Sequence, residues 1–152
     1  MKIEFIVPGD PIAKGRVRSS IITPKDPGKK PFIHHYPDKK SVSFENRVMA
    51  FFRANHCGPP TDGPVIVSII SYFKIPASWP KKKKALAQDD TMPMFIRPDG
   101  DNIEKSVLDG LNSVAFHDDK QVYKLTWEKY YSREPRTCVC IEADFSAVHE
   151  PF

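Results

Sequence analysis

The segment from Pro98 to Val122 constrains the fold more than any other part of the chain, and it reads PDGDNIEKSVLDGLNSVAFHDDKQV. When its residues are placed at 100° intervals around a helix, apolar side chains gather on one face and polar side chains on the other. The apolar face consists of Ile103, Val107, Leu108, Leu111 and Val114. The polar face consists of Asp101, Lys105, Asp109 and Asn112. The pattern therefore predicts an amphipathic helix that packs against a core and presents its charged side chains together.

A turn is predicted immediately before this helix, because Pro98 and Gly100 bracket the first aspartate of the segment. Asp101 and Glu104 have the D-x-x-E spacing of a capping box, which predicts Asp101 as the helix N-cap. The apolar pattern continues to Ala115, where we expect the helix to end. The turn and the helix together should place two aspartates at one end of the helix.

The same segment is acidic within a basic chain. It contains six carboxylates and two lysines, a formal charge of −4, so the remaining residues carry +8 to reach the overall +4. Asp99 and Asp101 precede the helix, and Asp118 and Asp119 follow it, just before a predicted strand. If Asp99, Asp101 and one of the later pair come together, their mutual repulsion calls for a cation. Carboxylate oxygens suit Mg²⁺, with Mn²⁺ as an alternative.

Lys105 lies one helical turn after Asp101 on the same face of the predicted helix. A bound Mg²⁺ can activate water for phosphodiester hydrolysis, and a nearby lysine can stabilise the phosphate or orient that water. An ordinary ion pair between Lys105 and Asp101 or Asp109 is the alternative interpretation. The spacing alone leaves open both a phosphodiester enzyme and a charged structural helix.

The rest of the chain predicts one loop-rich α+β domain over residues 1–145, followed by a tail over 146–152. Fifteen prolines cluster at segment edges, where they separate regular elements. Period-two and β-branched runs predict strands over 2–7, 32–37 and 64–75, the last of them central in the sheet, and a closing β-hairpin built from 120–132 and 136–145. A helix is predicted over 41–55 with Ser41 or Ser43 as N-cap, its apolar stripe comprising Val42, Val48, Met49, Phe51 and Phe52. A short helix is predicted to begin at Pro80.

Basic side chains predict where a polyanion would bind. Lys14, Arg16 and Arg18 alternate, so an extended backbone would project all three from one side of a phosphate-binding ribbon. A charged edge strand is the alternative for this segment, and a solvated helix face is the alternative for the four consecutive lysines that begin at Lys81. The candidate DNA contacts are Lys14, Arg16, Arg18, Lys81, Lys82, Lys83, Lys84, Arg97 and Asn102.

The three cysteines and the hydropathy pattern indicate a reducing compartment. Cys138 and Cys140 would share one strand face without disulfide geometry, so free thiols are expected, with a zinc site that adds His56 and Cys57 as the alternative. No apolar run approaches the roughly 18 to 20 residues of a membrane span, and the first residues lack the apolar region of a signal peptide. We therefore expect no membrane association and a cytoplasmic location.

The segment from Pro98 to Val122 resembles the signature of the RusA family of Holliday junction resolvases, in which P-D-x-D-N-x-x-K-x-x-x-D-x-L-N is followed by D-D-x-Q-[VI]. An N-terminal G-x-P-x-x-K-x-R-x-R is similarly present as GDPIAKGRVR. The resemblance implies a RusA-like α+β fold, with a mixed β-sheet packed against two main helices, in a bacterial or phage-encoded protein. It also implies a Mg²⁺-dependent homodimeric endonuclease that resolves four-way DNA junctions by paired nicks.

Residue by residue, the essential acidic positions of that family match Asp99, Asp101 and Asp119, with Asp118 beside them, and its functional lysine matches Lys105. The predicted catalytic residues are therefore Asp99, Asp101, Asp119 and Lys105, and the predicted metal ligands are Asp99, Asp101, Asp119 and Asp118. Two alternatives remain open: a non-catalytic module that binds branched DNA, and a protein unrelated to nucleic acid, because a net charge of +4 is small.

Overall fold

The computed structural model describes residues 1–143. The tail predicted over 146–152 and the last two residues of the predicted domain lie outside this range. The strands are β1 (Lys2–Pro8), β2 (Arg18–Ile22), β3 (Phe32–Tyr36), β4 (Val65–Lys74), β5 (Val122–Ser132) and β6 (Arg136–Ala143). The helices are α1 (Lys39–Asn55), α2 (Lys81–Leu86) and α3 (Gly100–Leu111). The predicted α+β class with two main helices is confirmed.

Four strands form a mixed sheet in the order β1-β6-β4-β5, while β2 and β3 form a separate two-stranded sheet. The central strand β4 pairs antiparallel with β6 and parallel with β5. The predicted closing hairpin is therefore wrong, because β4 lies between β5 and β6. Val65, Val67 and Ile69 on β4 are essentially fully buried, and a strand this apolar is most stable with a neighbour on each side.

The core lies between one face of this sheet and the two long helices. Ile103, Val107, Leu108 and Leu111 of α3 are buried, as its apolar periodicity predicts. In α1 the predicted stripe is only partly correct. Phe44, Val48 and Phe52 are buried at helical spacing, whereas Phe51 is exposed.

Both long helices begin at a different cap from the one predicted. Asp38 is the N-cap of α1 and accepts a hydrogen bond from the Ser41 backbone N–H at 3.2 Å, so neither Ser41 nor Ser43 caps this helix. The N-cap of α3 is Asp99, which has an extended backbone, and Asp101 lies inside the first turn. The predicted N-cap is therefore wrong by two residues, and the aspartate side chains are arranged around Gly100 instead of along a capping box.

The predicted end of α3 is also wrong, since the helix ends at Leu111 instead of near Ala115. Asn112 is extended and Ser113 has φ 66°, so the backbone turns away from the helix axis. The residues after the turn still contribute to the core, because Val114, Ala115 and Phe116 are buried. Their apolar character predicted burial correctly, although the backbone there is not helical.

The cysteines and the helices are relevant to the predicted cellular compartment. Cys57, Cys138 and Cys140 are free thiols, and the last two share one face of β6. Within residues 1–143 no helix combines the length and the apolar character needed to cross a membrane. The cytoplasmic location stays a prediction.

Gly110 sets the distance between α1 and α3. A Cβ at this position would lie 2.8 Å from both the Glu45 carbonyl oxygen and the Val48 Cβ, which is closer than side chains pack. Glycine costs about 1 kcal/mol relative to alanine inside a helix. The close approach of two helices explains why α3 nevertheless has glycine here.

We expect Gly110→Ala to lower the free energy of unfolding by about 1–3 kcal/mol, because overpacking exceeds the gain in helix propensity. Urea denaturation at equilibrium measures this change. Gly28→Ala is the control, since the nearest atom to its Cβ would be 4.0 Å away. A Gly110→Ala variant at least as stable as the wild type would contradict the proposed close packing.

Candidate active site

The turn before α3 is held by two side chains of β5. Gly100 is buried beneath Trp127, and any Cβ at this position would overlap the indole ring. Lys129 donates through Nζ to the carbonyl oxygens of Ile96 and Pro98, at 2.8 Å each. These contacts fix the backbone on both sides of the aspartate that begins the helix. The sequence pattern of β5 did not predict that Trp127 and Lys129 support this turn.

Asp99 and Asp101 flank Gly100, and both aspartates are exposed. Although Asp99 occupies the N-cap, its side chain makes no capping hydrogen bond. Among the described residues neither carboxylate takes part in a salt bridge. The positive end of the helix dipole stabilises negative charge here. Both carboxylates are therefore available to bind a cation from solution.

Glu104 lies beside this pair and has a different environment. Partial burial, and then the negative charge of Asp101, raise the pKa of the Glu104 carboxyl, while a hydrogen bond with Trp127 acts in the opposite direction. Glu104 was predicted to cap the helix. Instead its carboxyl group lies close enough to Asp101 for the two charges to interact, which the capping-box spacing did not indicate.

Lys105 lies one helical turn after Asp101 on α3, and its ammonium sits between two carboxylates. Its Nζ is 3.2 Å from Oδ2 of Asp119 and 3.3 Å from Oδ1 of Asp109. The hydrogen bonds to Asp119 and Asp109 raise the pKa of the Lys105 ammonium. The Lys105 side chain is 53% exposed, so it remains accessible to a solute while its charge is held in place.

The same charge pattern continues inward through Lys14. Its Nζ lies 2.8 Å from Asp109 and also contacts Glu45, while its backbone N–H donates to the Asn102 carbonyl oxygen at 2.8 Å. Partial burial disfavours the charged ammonium, but the hydrogen bonds to Asp109 and Glu45 outweigh it and raise the pKa of Lys14. The result is an alternating network that runs Glu45, Lys14, Asp109, Lys105 and Asp119.

Asp118 and Asp119 have different surroundings although they are adjacent. Asp118 caps the short 3-10 helix Asp119–Gln121 and accepts from the Lys120 backbone N–H at 2.9 Å, which lowers the pKa of its carboxyl. Gln121 accepts from the backbone N–H groups of His117 and Asp118. Its amide nitrogen donates to the carbonyl oxygens of the 61–63 loop. Asp118 therefore has a clear structural role, whereas the Asp119 carboxylate faces Lys105.

The donor types fit Mg²⁺, but the predicted ligands do not form one cluster. Within residues 1–143 no group of three or more His, Cys, Asp or Glu side chains lies close enough to hold a metal ion. The Lys105 ammonium occupies the space next to Asp119. Mg²⁺ usually keeps several waters and uses one or two carboxylates together with substrate phosphates. The pair Asp99 and Asp101 meets that smaller requirement.

The predicted phosphate-binding ribbon is wrong in its backbone, because residues 11–17 are irregular and only Arg18 lies in a strand. Arg16 is exposed, and Arg18 is exposed while it pairs with Asp38 at 3.3 Å. Lys14 is instead partly buried in the charge network. Long-range partners, which the two-residue spacing could not reveal, determine where these three cations lie.

The remaining candidate DNA contacts lie on other parts of the surface. Lys81 to Lys84 lie on α2, where Lys83 packs over the Trp79 ring at 3.8 Å from its centroid. Arg97 is exposed in the turn before α3, and Asn102 is exposed in the first turn of that helix. Arg97 and Asn102 are thus close in sequence to the two aspartates, while α2 forms a separate basic segment.

Comparison with known proteins adds independent information. The family model described as Endodeoxyribonuclease RusA matches residues 8–142. The uncharacterized protein YqaN of Bacillus subtilis (strain 168) is 36% identical over 141 residues, which cover 91% of this chain and 94% of that protein. The residues matched by the family model include the two aspartates, the charge network and the strand that supports them.

The contact between Gly100 and Trp127 can be tested with a double-mutant cycle. We expect Gly100→Ala to destabilise the protein by about 1–3 kcal/mol through overpacking. In a Trp127→Ala background the same change should cost much less, because the indole ring is gone. Urea denaturation of the four proteins gives the coupling energy. Equal costs in both backgrounds would show that Trp127 does not hold this turn.

Proposed function

Because the chain belongs to the RusA endodeoxyribonuclease family, we propose that it is a Mg²⁺-dependent, structure-selective nuclease that resolves four-way (Holliday) DNA junctions. The observation that carries this proposal is the pair of carboxylates at the start of α3. Asp99 occupies an N-cap without capping the helix, and Asp101 has no ion-pair partner among the described residues. Two such carboxylates favour an external cation as their partner.

Asp99 and Asp101 would bind the ion through their carboxylate oxygens. Asp119 would join them as a third ligand only if the DNA phosphate drew Lys105 away from it, and Asp118 would support the backbone beside Asp119. When bound, Mg²⁺ supplies an activated water and stabilises the charge of phosphodiester displacement. Trp127 holds the backbone under the ligands through its contact with Gly100. The remaining metal coordination would come from water and the DNA phosphate.

Lys105 would contact the scissile phosphate. A lysine is charged at neutral pH, and the hydrogen bonds to Asp119 and Asp109 raise the pKa of Lys105 further, so its ammonium can stabilise the additional negative charge of the transition state. Asp109 holds Lys105 in position from the other side at 3.3 Å. Asp109 and Lys14 are therefore positioning residues, and Lys105 is the group that touches the substrate.

The proposed substrate contacts combine cations from several segments. Arg16, Arg18 and Arg97 are exposed and would bind DNA phosphates, together with Lys81, Lys82, Lys83 and Lys84 of α2. Such contacts make the affinity fall as salt rises. Because a four-way junction has two-fold symmetry, a homodimer would place one site against each of two strands.

A non-catalytic module that binds branched DNA is the second candidate. It is favoured by the pairing of Lys105 with Asp119 and by the lack of a three-ligand group among residues 1–143. This module would bind the junction in a salt-dependent manner without cutting it in Mg²⁺ or Mn²⁺. Cleavage therefore separates the two candidates.

The first prediction of the proposed function concerns DNA cleavage. In Mg²⁺ the wild type should nick a four-way junction and leave a linear duplex of matched sequence intact, and chelation with EDTA should abolish nicking. Asp101→Asn should reduce the rate by about 100-fold or more, because a metal ligand is lost. Denaturing gels of end-labelled strands measure both effects.

Glu4→Gln is the matched control, because Glu4 is an exposed carboxylate on β1 that pairs only with Lys2 among the described residues. Its rate should equal that of the wild type. Equal cutting of junction and duplex would refute junction selectivity. A fully active Asp101→Asn variant would refute the assigned metal site.

The second prediction concerns metal-linked stability. Saturating Mg²⁺ should raise the free energy of unfolding by about 1–3 kcal/mol, because the ion binds the folded state. Asp99→Asn should reduce this gain, and Glu4→Gln should preserve it. Thermal or urea denaturation with Mg²⁺ and with EDTA measures the difference. An identical Mg²⁺ response in the Asp99→Asn variant would exclude Asp99 as a ligand.

A further inference from the structure

The hairpin formed by β2 and β3 is exposed along its whole length. Every residue of Arg18–Ile22 and Phe32–Tyr36 is exposed, although several are large and apolar. An isolated two-stranded hairpin is at best marginally stable in water. Exposed apolar side chains on such an element indicate that something else packs against it.

One face of β3 carries a row of aromatic rings. Phe32, His34 and Tyr36 alternate along the strand, so all three project to the same side. Positions two residues apart are roughly 6.8 Å apart, which is about twice the 3.4 Å spacing of stacked bases along a DNA strand. The His34 and Tyr36 rings are 5.9 Å apart between centroids and only 20° from parallel. This face therefore presents successive π surfaces at a spacing suited to bases.

The opposite face has a different composition. It carries the cross-strand pair Ile21 and Ile33, together with Ser19 and His35, whose side chains are hydrogen bonded at 2.7 Å. Ile21 is 75% exposed and Ile33 is 62% exposed. This face offers apolar surface but only one ring, the His35 imidazole, which is already hydrogen bonded to Ser19. It supplies a matched set of positions for control substitutions.

The charge of the hairpin favours a polyanion as its occupant. Residues 18–36 include four cations and one carboxylate, a formal charge of +3 in a chain whose total is +4. The cations are Arg18, Lys25, Lys29 and Lys30. A second copy would bring a like-charged hairpin against the first, whereas a nucleic acid backbone is complementary to it. The combination of aromatic rings and cations is that of surfaces that bind single-stranded nucleic acid.

The hairpin is also joined directly to the candidate active site. Arg18 is four residues after Lys14, whose backbone N–H is bonded to Asn102 in the first turn of α3. Arg18 also pairs with Asp38, the N-cap of α1, which follows the last strand of the hairpin by two residues. Both ends of the hairpin are therefore anchored on the helices that build the site. A junction bound at the two aspartates could thus also contact the hairpin.

We propose that the β2–β3 hairpin is a stacking platform for unpaired bases at the branch point of the DNA junction. Phe32, His34 and Tyr36 stack on the bases, and Arg18 with the lysines of the connecting loop binds the flanking phosphates. This inference rests on the proposed function for its substrate. It adds a subsite that recognises unstacked bases, separate from the carboxylates that are proposed to bind the metal ion.

The experiment measures binding in EDTA, where no cleavage occurs, to three labelled probes: a four-way junction, oligo(dT) and a linear duplex. Phe32→Ala/Tyr36→Ala should weaken binding to the junction and oligo(dT) by about tenfold or more, since each stacked base contributes appreciably. Ile21→Ala/Ile33→Ala, on the opposite face, should change these affinities by less than about threefold. Neither double variant should alter duplex binding. Phe32→Tyr/Tyr36→Phe keeps both rings and should retain wild-type affinity, which separates stacking from hairpin folding.

Two results would overturn the platform. One is wild-type affinity of the Phe32→Ala/Tyr36→Ala variant for the junction and oligo(dT). The other is a wild-type protein that is dimeric and a Phe32→Ala/Tyr36→Ala variant that is monomeric, with the same DNA affinity per protomer. A second copy of the chain would then be the occupant of the hairpin. Junction cleavage by the wild type in a separate Mg²⁺ assay would leave the proposed function standing in either case. Ring-dependent oligo(dT) binding without junction cleavage would instead support the platform and refute the proposed function.

Discussion

The arrangement of the site depends on one alternating charge network, in which Lys14 joins Glu45 to Asp109 and Lys105 joins Asp109 to Asp119. The network connects α1, the irregular segment before β2, α3 and the 3-10 helix before β5. Its inner members have side chains at most 28% exposed, whereas Lys105 and Asp119 are at least 40% exposed. Exposed ion pairs contribute little to stability, because water screens their charges. The inner end therefore holds the helices together, and the outer end can respond to a phosphate or a metal ion.

The second constraint is the parallel pairing of β5 with β4. It places β5 beside the start of α3, so that Trp127 supports Gly100 while Asp119, just before the strand, faces Lys105. A direct hairpin between β5 and β6 would have placed the same residues elsewhere on the sheet. The strand order thus places both ends of one chain segment against α3, with Trp127 at the first residue of the helix and Asp119 at Lys105.

Charge is divided between two surfaces that differ in their other chemistry. The turn at Asp99 and Asp101 is acidic and rigidly supported, whereas the hairpin from residue 18 to residue 36 is basic, aromatic and exposed. The overall charge of +4 conceals this division. The proposed function would use both properties, because metal binding would supply the chemistry and contacts with bases would supply the selection. The two surfaces are joined by the short segment that contains Lys14.

The sequence by itself determined the elements whose signals are local. The apolar periodicity of α3, the β-branched run of β4 and the turn around Gly100 were all predicted, and the spacing of acidic residues led to the correct family. Only the tertiary structure decided the strand order, the helix caps and the partners of the charged side chains. Lys14 shows the reason, since its carboxylate partners Glu45 and Asp109 lie 31 and 95 positions away in the chain. Periodicity reports which face of an element is apolar, but the contacts of a charged group depend on which distant segments fold against it.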